Sequence, residues 1–584
     1  MKKRFKIGHS LTSNNRINWI RFGFVFFFIV LTIRLFQLQV LKYSNFIEEA
    51  KAIQTANTTI IPQRGLIYVQ DKDKNLYAVA INKKYYSIYA VPKEIKNPQE
   101  VSQKLAKILP LSYEEIFNRL NKPDDPYELL IKKTDDENII KLLDNTSLKG
   151  IYYTPVNYRY YPYGSFLSQT IGFISESKDD PDIKGRYGLE LYYDSILAGE
   201  KGVFYGVKDA FGRLVRSLFA NERQSQDGSD IITTIDKNVQ FFVENALKDL
   251  ITTREAESGS IIVMEIPTGK IIALANYPDF DLNEYYKVKD YSIYLNPVVQ
   301  NRFEMGSVVK SLTMASGLDL GLITPDTTYE DKGFLTIGGY KIMNFENRVY
   351  GKATMKEVLQ WSINTGAVFV GEKVGIDNLR KYFKNFGLDK KTGIDLPNEV
   401  SGDLSNLEYP KGNQTTLATA SYGLGIAITP IELVRAYSAV ANKGYLINPY
   451  IVESIKDELG IHSAQMKREL SQVISEETAN TLTKMLVNVV ENGYGRNAKI
   501  KGYSLAGKTG TANIPLKGQK GYSEDTIQSF IGFFPAYTPK FLILVKMDRP
   551  RALSASSASK TVTFTFKDIE QYLINYYNIP PDEL

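Results

Sequence analysis

The sequence predicts an α+β protein held by a single N-terminal transmembrane helix, on three observations. An apolar run over Trp19–Val40 follows a basic N-terminus. From Leu41 to about Gly228, short strands mix with amphipathic helices. From Asp230 onward, strand hairpins alternate with long helical stretches, the pattern of a central antiparallel sheet flanked by helices. A chain of 584 residues also exceeds what one hydrophobic core serves. The expected organisation is a cytoplasmic tail over 1–18, an anchor over 19–40, a pedestal over 41–228 and a larger domain over 229–584.

At about 1.5 Å per residue, Trp19–Val40 reaches roughly 33 Å, enough to cross a bilayer. Its centre, Phe22–Ile33, is uncharged, and Lys2, Lys3, Arg4, Lys6 and Arg16 precede it. That basic flank predicts a cytoplasmic N-terminus with everything after the anchor outside. Arg34-Leu35-Phe36-Gln37 stands where a cleavage site would carry small residues, so an uncleaved anchor in the cytoplasmic membrane is expected. Arg34 lies near the outer end, from which its guanidinium can snorkel to the headgroups.

In the pedestal, Tyr85–Ala90 reads as a strand. Glu100–Leu109, with Val101, Leu105 and Ile108 at helical spacing, reads as a helix. No nucleophile and base with supporting context occur there. The polar stretch Gln224–Ser229 marks the boundary. Beyond it, Gly259–Asn283 predicts a hairpin, Met355–Val370, Thr429–Asn442 and Ser475–Asn492 predict helices, and Gly502–Gly507, Ser529–Phe534 and Phe541–Met547 predict strands.

Composition narrows the chemistry. A net charge of +6 without a Lys/Arg cluster argues against nucleic-acid binding. The chain has no cysteine, and His9 and His462 are its only histidines. A Cys nucleophile and a Cys/His zinc site are thereby excluded, and a Ser-His-Asp triad would need one of those two residues. No metal or cofactor is expected.

Three short strings supply a complete acyl-transfer set without histidine: Ser307-Val308-Val309-Lys310, Ser362-Ile363-Asn364 and Lys508-Thr509-Gly510-Thr511. Each is weak alone, because Ser175–Lys178, Ser557–Lys560, Ser13–Asn15 and Lys391–Gly393 match the same patterns. Context separates them. Ser307 follows Gly306 and opens a run that reads as a buried helix, where free N–H groups and the helix dipole favour an oxyanion. Lys310 lies about one turn on, on the same face. Lys508 ends a strand-like run that Thr509-Gly510-Thr511 continues, with a glycine where a ligand can approach the backbone.

In that order, the strings resemble the motif set of the penicillin-binding proteins. Thr234-Ile235-Asp236 with Gln240 resembles the opening of that family's catalytic domain, Gly259–Asn283 its first hairpin, and Tyr422-Gly423-Leu424-Gly425 its approach to the third motif. Upstream, Arg64-Gly65-Leu66-Ile67, Arg159 with Pro162 and Gly164, and Gly188-Leu189-Glu190 resemble the class B non-catalytic module. Arg302-Phe303-Glu304 and Phe530–Ala536 are closer to the septal, FtsI-like branch than to the elongation branch. Two positions depart. Met305 stands where proline is usual, which is expected to loosen the turn, and Tyr68-Val69-Gln70 replaces an Asp-Arg pair.

The resemblance implies a penicillin-binding transpeptidase domain that cross-links peptidoglycan stem peptides through an acyl-serine and is blocked by β-lactams. It implies Ser307 as nucleophile, Lys310 as the base that takes its proton, Ser362 as proton relay and Asn364 as the group orienting Lys310. Lys508, Thr509, Gly510 and Thr511 would hold the donor carboxylate, and backbone N–H groups of Ser307 and Thr511 the oxyanion. A SEDS-type glycan polymerase and other division proteins are the implied partners. Alternatives are an elongation-type transpeptidase, a β-lactamase or D,D-carboxypeptidase using water, and a non-catalytic division scaffold.

Overall fold

The computed structural model describes residues 13–43, 55–176, 183–208, 214–215, 222–464, 471–516, 518–519 and 521–582. Lys2, Lys3, Arg4, Lys6, His9 and Lys178 lie outside these, as does the tail over 1–12. The described chain forms two compact units, one of residues 1–62 and 199–227, the other of 63–198 and 228–584.

The first unit holds the N-terminal helix Ser13–Phe36, continued by a wider turn over Gln37–Leu41. Its span Ile17–Leu41 is long and apolar enough to cross a membrane. Arg34 donates to Gln37 Oε1 at 2.7 Å, so the arginine has a polar partner at that end of the helix. The same unit carries an antiparallel ladder in which Thr55–Ile60 pairs with Gly202–Lys208, from Thr55 opposite Val207 to Ile60 opposite Gly202.

The second unit contains two large sheets. In one, Asp230–Asp236 runs parallel to Ile67–Gln70 and antiparallel to Val452–Asp457, and Leu76–Ala90 extends the sheet on the far side. The expected boundary near 228 is thus where the chain re-enters the second unit and pairs at once with the strand at 67–70. Gly65 permits this approach: a Cβ there would stand 1.9 Å from the Ser229 carbonyl oxygen. The strand expected at Tyr85–Ala90 is the end of the fifteen-residue Leu76–Ala90, and the helix expected at Glu100–Leu109 occupies Pro98–Leu105.

A buried ion cluster includes Arg159, a residue of the strand Ile151–Tyr160 that pairs with Leu76–Ala90. Glu190, fully buried, accepts from Arg64 Nε and Arg159 Nε, each at 2.7 Å, and from the Tyr161 hydroxyl at 3.3 Å. Arg64 also pairs with Asp194 at 2.8 Å. Arg64 thus meets a carboxylate that lies 126 positions away in sequence.

The other sheet is five-stranded and antiparallel. Its strands are β1 Ser258–Glu265, β2 Ile271–Tyr277, β3 Ala506–Pro515, β4 Tyr522–Phe534 and β5 Phe541–Asp548, in the order β2-β1-β5-β4-β3. Both faces are covered, which is why β5 reads Phe-Leu-Ile-Leu-Val without polar alternation. Phe541, Ile543, Val545 and Met547 face one core with helices α1 (Lys237–Thr253) and, at the C-terminus, Val562–Tyr576. Leu542 and Leu544 face the other, larger core. That strict period of two is the pleat expressed as burial.

On the larger-core side lie α2 (Lys310–Asp319), α3 (Met355–Gln360), α4 (Asn364–Val374), α5 (Pro430–Ala441) and α6 (Glu476–Asn492). Strong start signals set three of them, the first being α3, where Thr354 and Glu357 form a capping box. Thr429 and Glu432 form a capping box around Pro430 in α5, and Ser475 caps α6. The single helix expected over Met355–Val370 is instead two. The chain breaks at Trp361–Ile363, and Ser362 takes a left-handed backbone at φ +52°. The strand expected from Gly502 begins at Ala506, so Lys508 is its third residue rather than its end.

Candidate active site

Ser307 is the second residue of a tight turn, Gly306–Val309, that runs directly into α2. The turn is seated backbone to backbone. Gly306 has φ +59°, donates its N–H to the Gly423 carbonyl at 3.1 Å, and would place a Cβ 2.8 Å from Ala512 Cβ. A Cβ on Gly423 would meet the Gly306 oxygen at 2.1 Å, and one on Gly510 the Met305 oxygen at 2.9 Å. Glycine at these positions lets β3 lie against the nucleophile's turn. Tyr437 secures the turn from α5, its hydroxyl donating to the Val308 carbonyl at 2.6 Å. Met305 does not loosen the turn as expected: it is buried in the main core, where its side chain takes up apolar space.

The break between α3 and α4 delivers the second string. Lys310 Nζ donates to the Ser362 carbonyl at 2.6 Å and to Asn364 Oδ1 at 2.7 Å, with Ser362 Oγ at 3.3 Å. On the other side, Lys508 Nζ donates to Ser362 Oγ at 2.9 Å and to the Thr509 carbonyl at 3.0 Å. Ser362 thus stands between two amines. Among the described residues, the hydrogen bonds of Lys310 Nζ run to this turn and not to Ser307, which lies three residues away at the start of the same helix.

Both amines are buried, Lys310 with 1% and Lys508 with 0% of its surface exposed, and neither has a carboxylate partner among the described residues. Burial penalises the ammonium of Lys310, and repulsion from Lys508 adds to it, so its pKa falls well below the ordinary lysine value. Burial alone pushes Lys508 down to about 7. Of the two, Lys310 loses its proton first, because it carries both penalties. A neutral amine beside a serine on a turn is what a general base requires.

A cleft of about 470 Å³ opens over this group. Ser307, Ser362, Asn364, Thr509 and Thr511 line it, with Gly306 at the floor. Lys310, Lys508 and Gly510 stand behind that surface, fully buried. All eight residues singled out in the sequence therefore converge on one place. The opposite rim is Met343, Asn344, Phe345 and Tyr494, with Lys341 as a charged lining side chain.

A further wall was not foreseen. Ser556, Ser557 and Ser559 line the cleft beside β3, where the Ala558 N–H donates to Thr511 Oγ1 at 3.3 Å, and Ser557 Oγ lies 3.0 Å from Ser559 Oγ. Ser557 had matched Ser-x-x-Lys, but its lysine, Lys560, reaches Ser556 Oγ at 3.3 Å and is not buried behind the wall. The small-residue run 554–559 was the available signal. Away from the cleft, Thr392 beside Lys391 donates to Glu399 in a turn, Ser175 Oγ accepts from Arg186 Nε at 3.1 Å, and His462 pairs with Asp457 in an exposed hairpin.

Comparison with known proteins gives a consistent result. The penicillin binding protein transpeptidase domain matches residues 259–570, and the penicillin-binding protein dimerisation domain matches residues 59–233. The stage V sporulation protein D of Bacillus subtilis is 34% identical, covering 93% of this chain and 83% of that protein. The peptidoglycan D,D-transpeptidase FtsI of Buchnera aphidicola is 27% identical, covering 98% and 97%. Among solved structures, penicillin binding protein 3 of Mycobacterium tuberculosis, complexed with aztreonam, has a TM-score of 0.68 at 23% identity over 90% of this chain and 98% of that one. Penicillin binding protein 2X of Streptococcus thermophilus has a TM-score of 0.74 at 21% identity, over 89% and 80%. The two structures bear on the fold alone.

Proposed function

This chain belongs to the class B penicillin-binding proteins and is a peptidoglycan D,D-transpeptidase, and we propose that its chemistry runs through Ser307 and the two buried lysines. The observation that carries the assignment is the amine of Lys310, buried beside a second cation and hydrogen-bonded to Ser362 and Asn364.

In this reading Lys310, neutral at the start, takes the Ser307 hydroxyl proton as Oγ attacks the penultimate D-Ala carbonyl of the donor stem peptide. The Oγ–C bond forms and the tetrahedral oxyanion is met by backbone N–H groups of Ser307 and Thr511, each typically worth about 2.7–4 kcal/mol. The C–N bond to the terminal D-Ala then breaks, and the proton passes through Ser362 to the departing amine. Lys508, Thr509 and Thr511 hold the donor's terminal carboxylate, whose charge restores the Lys508 ammonium. Gly510 keeps β3 close to the turn. An acceptor amine then attacks the acyl-serine, and the ester bond is exchanged for the cross-linking amide. A β-lactam follows the same path to a stable acyl-enzyme.

Labelled penicillin tests this. Ser307→Ala should abolish covalent labelling, while Ser175→Ala and Ser557→Ala should keep it, even though Ser557 lines the same cleft. Labelling that survives in Ser307→Ala would overturn the assignment. Rapid turnover of the adduct would favour hydrolysis over transfer.

The finer reading assigns a cytoplasmic tail over 1–18, the anchor over 19–40, the pedestal over 41–228 and the transpeptidase domain over 229–584 outside the membrane. It also assigns a septal duty beside a SEDS-type polymerase. The basic N-terminus supports the orientation, and the Arg302–Glu304 and Phe530–Ala536 strings support the septal branch. The relative named for sporulation supports a second duty, in sporulation. A fluorescent fusion followed in growing and sporulating cells separates them: a mid-cell band supports septal work, a side-wall pattern refutes it.

A further inference from the structure

Asn364 can orient Lys310 only if the turn that carries it is itself fixed, and the fixing groups come from a distant hairpin segment. We propose that Asn344, clamped by Asp331, is the positioning residue that sets the Ser362–Asn364 turn and, through it, Lys310 for acylation. The inference rests on the roles given above to Ser307, Lys310 and Asn364.

A helix leaves its first N–H groups without internal partners. In α4 the residue that should cap them is Ile363, whose side chain has no acceptor. Asn344 supplies the missing cap from twenty residues away. Its Oδ1 accepts from the Asn364 N–H at 3.0 Å and the Thr365 N–H at 3.2 Å. Its Nδ2 donates to both oxygens of Asp331, at 3.1 and 3.0 Å, and to the Arg348 carbonyl at 3.1 Å. Asp331 also accepts from Thr365 Oγ1 at 2.7 Å, and from the Gly333 and Tyr350 N–H groups at 3.0 and 2.8 Å. Asp331 is 2% and Asn344 4% exposed.

The Asn364 side chain is held from the same segment. Its Nδ2 donates to the Met343 carbonyl at 2.7 Å, which turns Oδ1 toward Lys310 Nζ. Backbone and side chain of Asn364 are thus both fixed by residues 343 and 344. A left-handed serine costs on the order of 1–2 kcal/mol and persists only where the surroundings over-determine it. Charge-assisted bonds to a buried carboxylate make the clamp stiff.

The test is the rate at which labelled penicillin acylates Ser307 across pH, with melting temperature read on the same samples. In N344A the rate should fall about tenfold or more, since a small misplacement of a base is expensive. The acid limb should also move to lower pH, because the Lys310 ammonium loses an acceptor that favours it. Lys508, the other charged group facing Lys310, is untouched. D331N should do the same to a smaller degree while disturbing the fold less, and the exchange variant D331N/N344D, which keeps an acceptor at 344 and a donor at 331, should recover most of the lost rate. A folded N344A, or if that does not fold a folded D331N, with unchanged rate and unmoved limb overturns the proposal. Absence of labelling in the unaltered protein would instead overturn the assignment of Ser307 beneath it.

Discussion

Glu190 and Lys310 are both buried ionisable side chains in the same compact unit, and they are treated oppositely. Burial alone would raise the Glu190 pKa, yet Arg159 and Arg64 together hold it below the ordinary carboxylate range. Lys310 receives no counter-charge, only the repulsion of Lys508. One cluster is neutralised and joins segments far apart in sequence. The other is left unbalanced, so that a proton is available to be moved. The difference teaches that burial of a charge marks structure when it is paired and marks chemistry when it is not.

The largest effect should come from locking the side chain at 310 in its charged form. Lys310→Arg leaves a cation that does not deprotonate. Acylation by labelled penicillin should drop by about 10²–10⁴-fold, the usual weight of a general base. Acylation at the original rate would show that the unpaired lysine is not the base.

Breaking the paired side should be felt in stability instead. Glu190→Gln leaves two guanidinium groups facing a neutral amide, and destabilisation of about 3–5 kcal/mol is expected in urea unfolding of the protein. A change of under about 1 kcal/mol would mean that the cluster is solvated and the comparison fails.

A smaller effect of opposite sign should appear in the cleft. The folded chain holds Lys508 at about 7 against an ordinary 10.5. Between those values the unfolded chain binds a proton that the folded one lacks, so stability is lost as pH falls from 10.5 toward 7. Lys508→Met should therefore stabilise near pH 7, with the gain shrinking as pH rises to 10. A pH-independent gain would place its origin in packing alone. Loss of donor-carboxylate binding should accompany the gain in stability, the usual trade at a functional site.

How much of this was legible in sequence depended on what each residue does. Ser307, Lys310 and Lys508 were legible because acyl transfer without histidine leaves few residue types for the task. Arg64, Arg159 and Glu190 were legible only as pieces of resemblance, since nothing local says that they meet. The break at Ser362 was hidden because Met355–Val370 keeps a continuous helical pattern, and a left-handed serine leaves no trace in periodicity. Asn344 and Asp331 gave no signal, since both residue types serve most often as turn formers. Ser556–Ser559 read only as part of a small-residue stretch, because small residues say nothing of the wall they build. The turn at Met305 was misread for a related reason: the missing proline was visible, but the core that holds the methionine was not.

The glycine floor of the cleft has a consequence for how this enzyme could escape a drug. Side chains added at 306, 423 or 510 would collide with main-chain atoms or with Ala512, so the base of the binding surface cannot be remodelled by single substitutions. Resistance selected under β-lactam pressure should accumulate on the rim, at Lys341, Phe345, Tyr494 or Asn513, or along the serine wall. Sequencing of resistant isolates would show whether selection respects that boundary between a fixed floor and an adaptable edge.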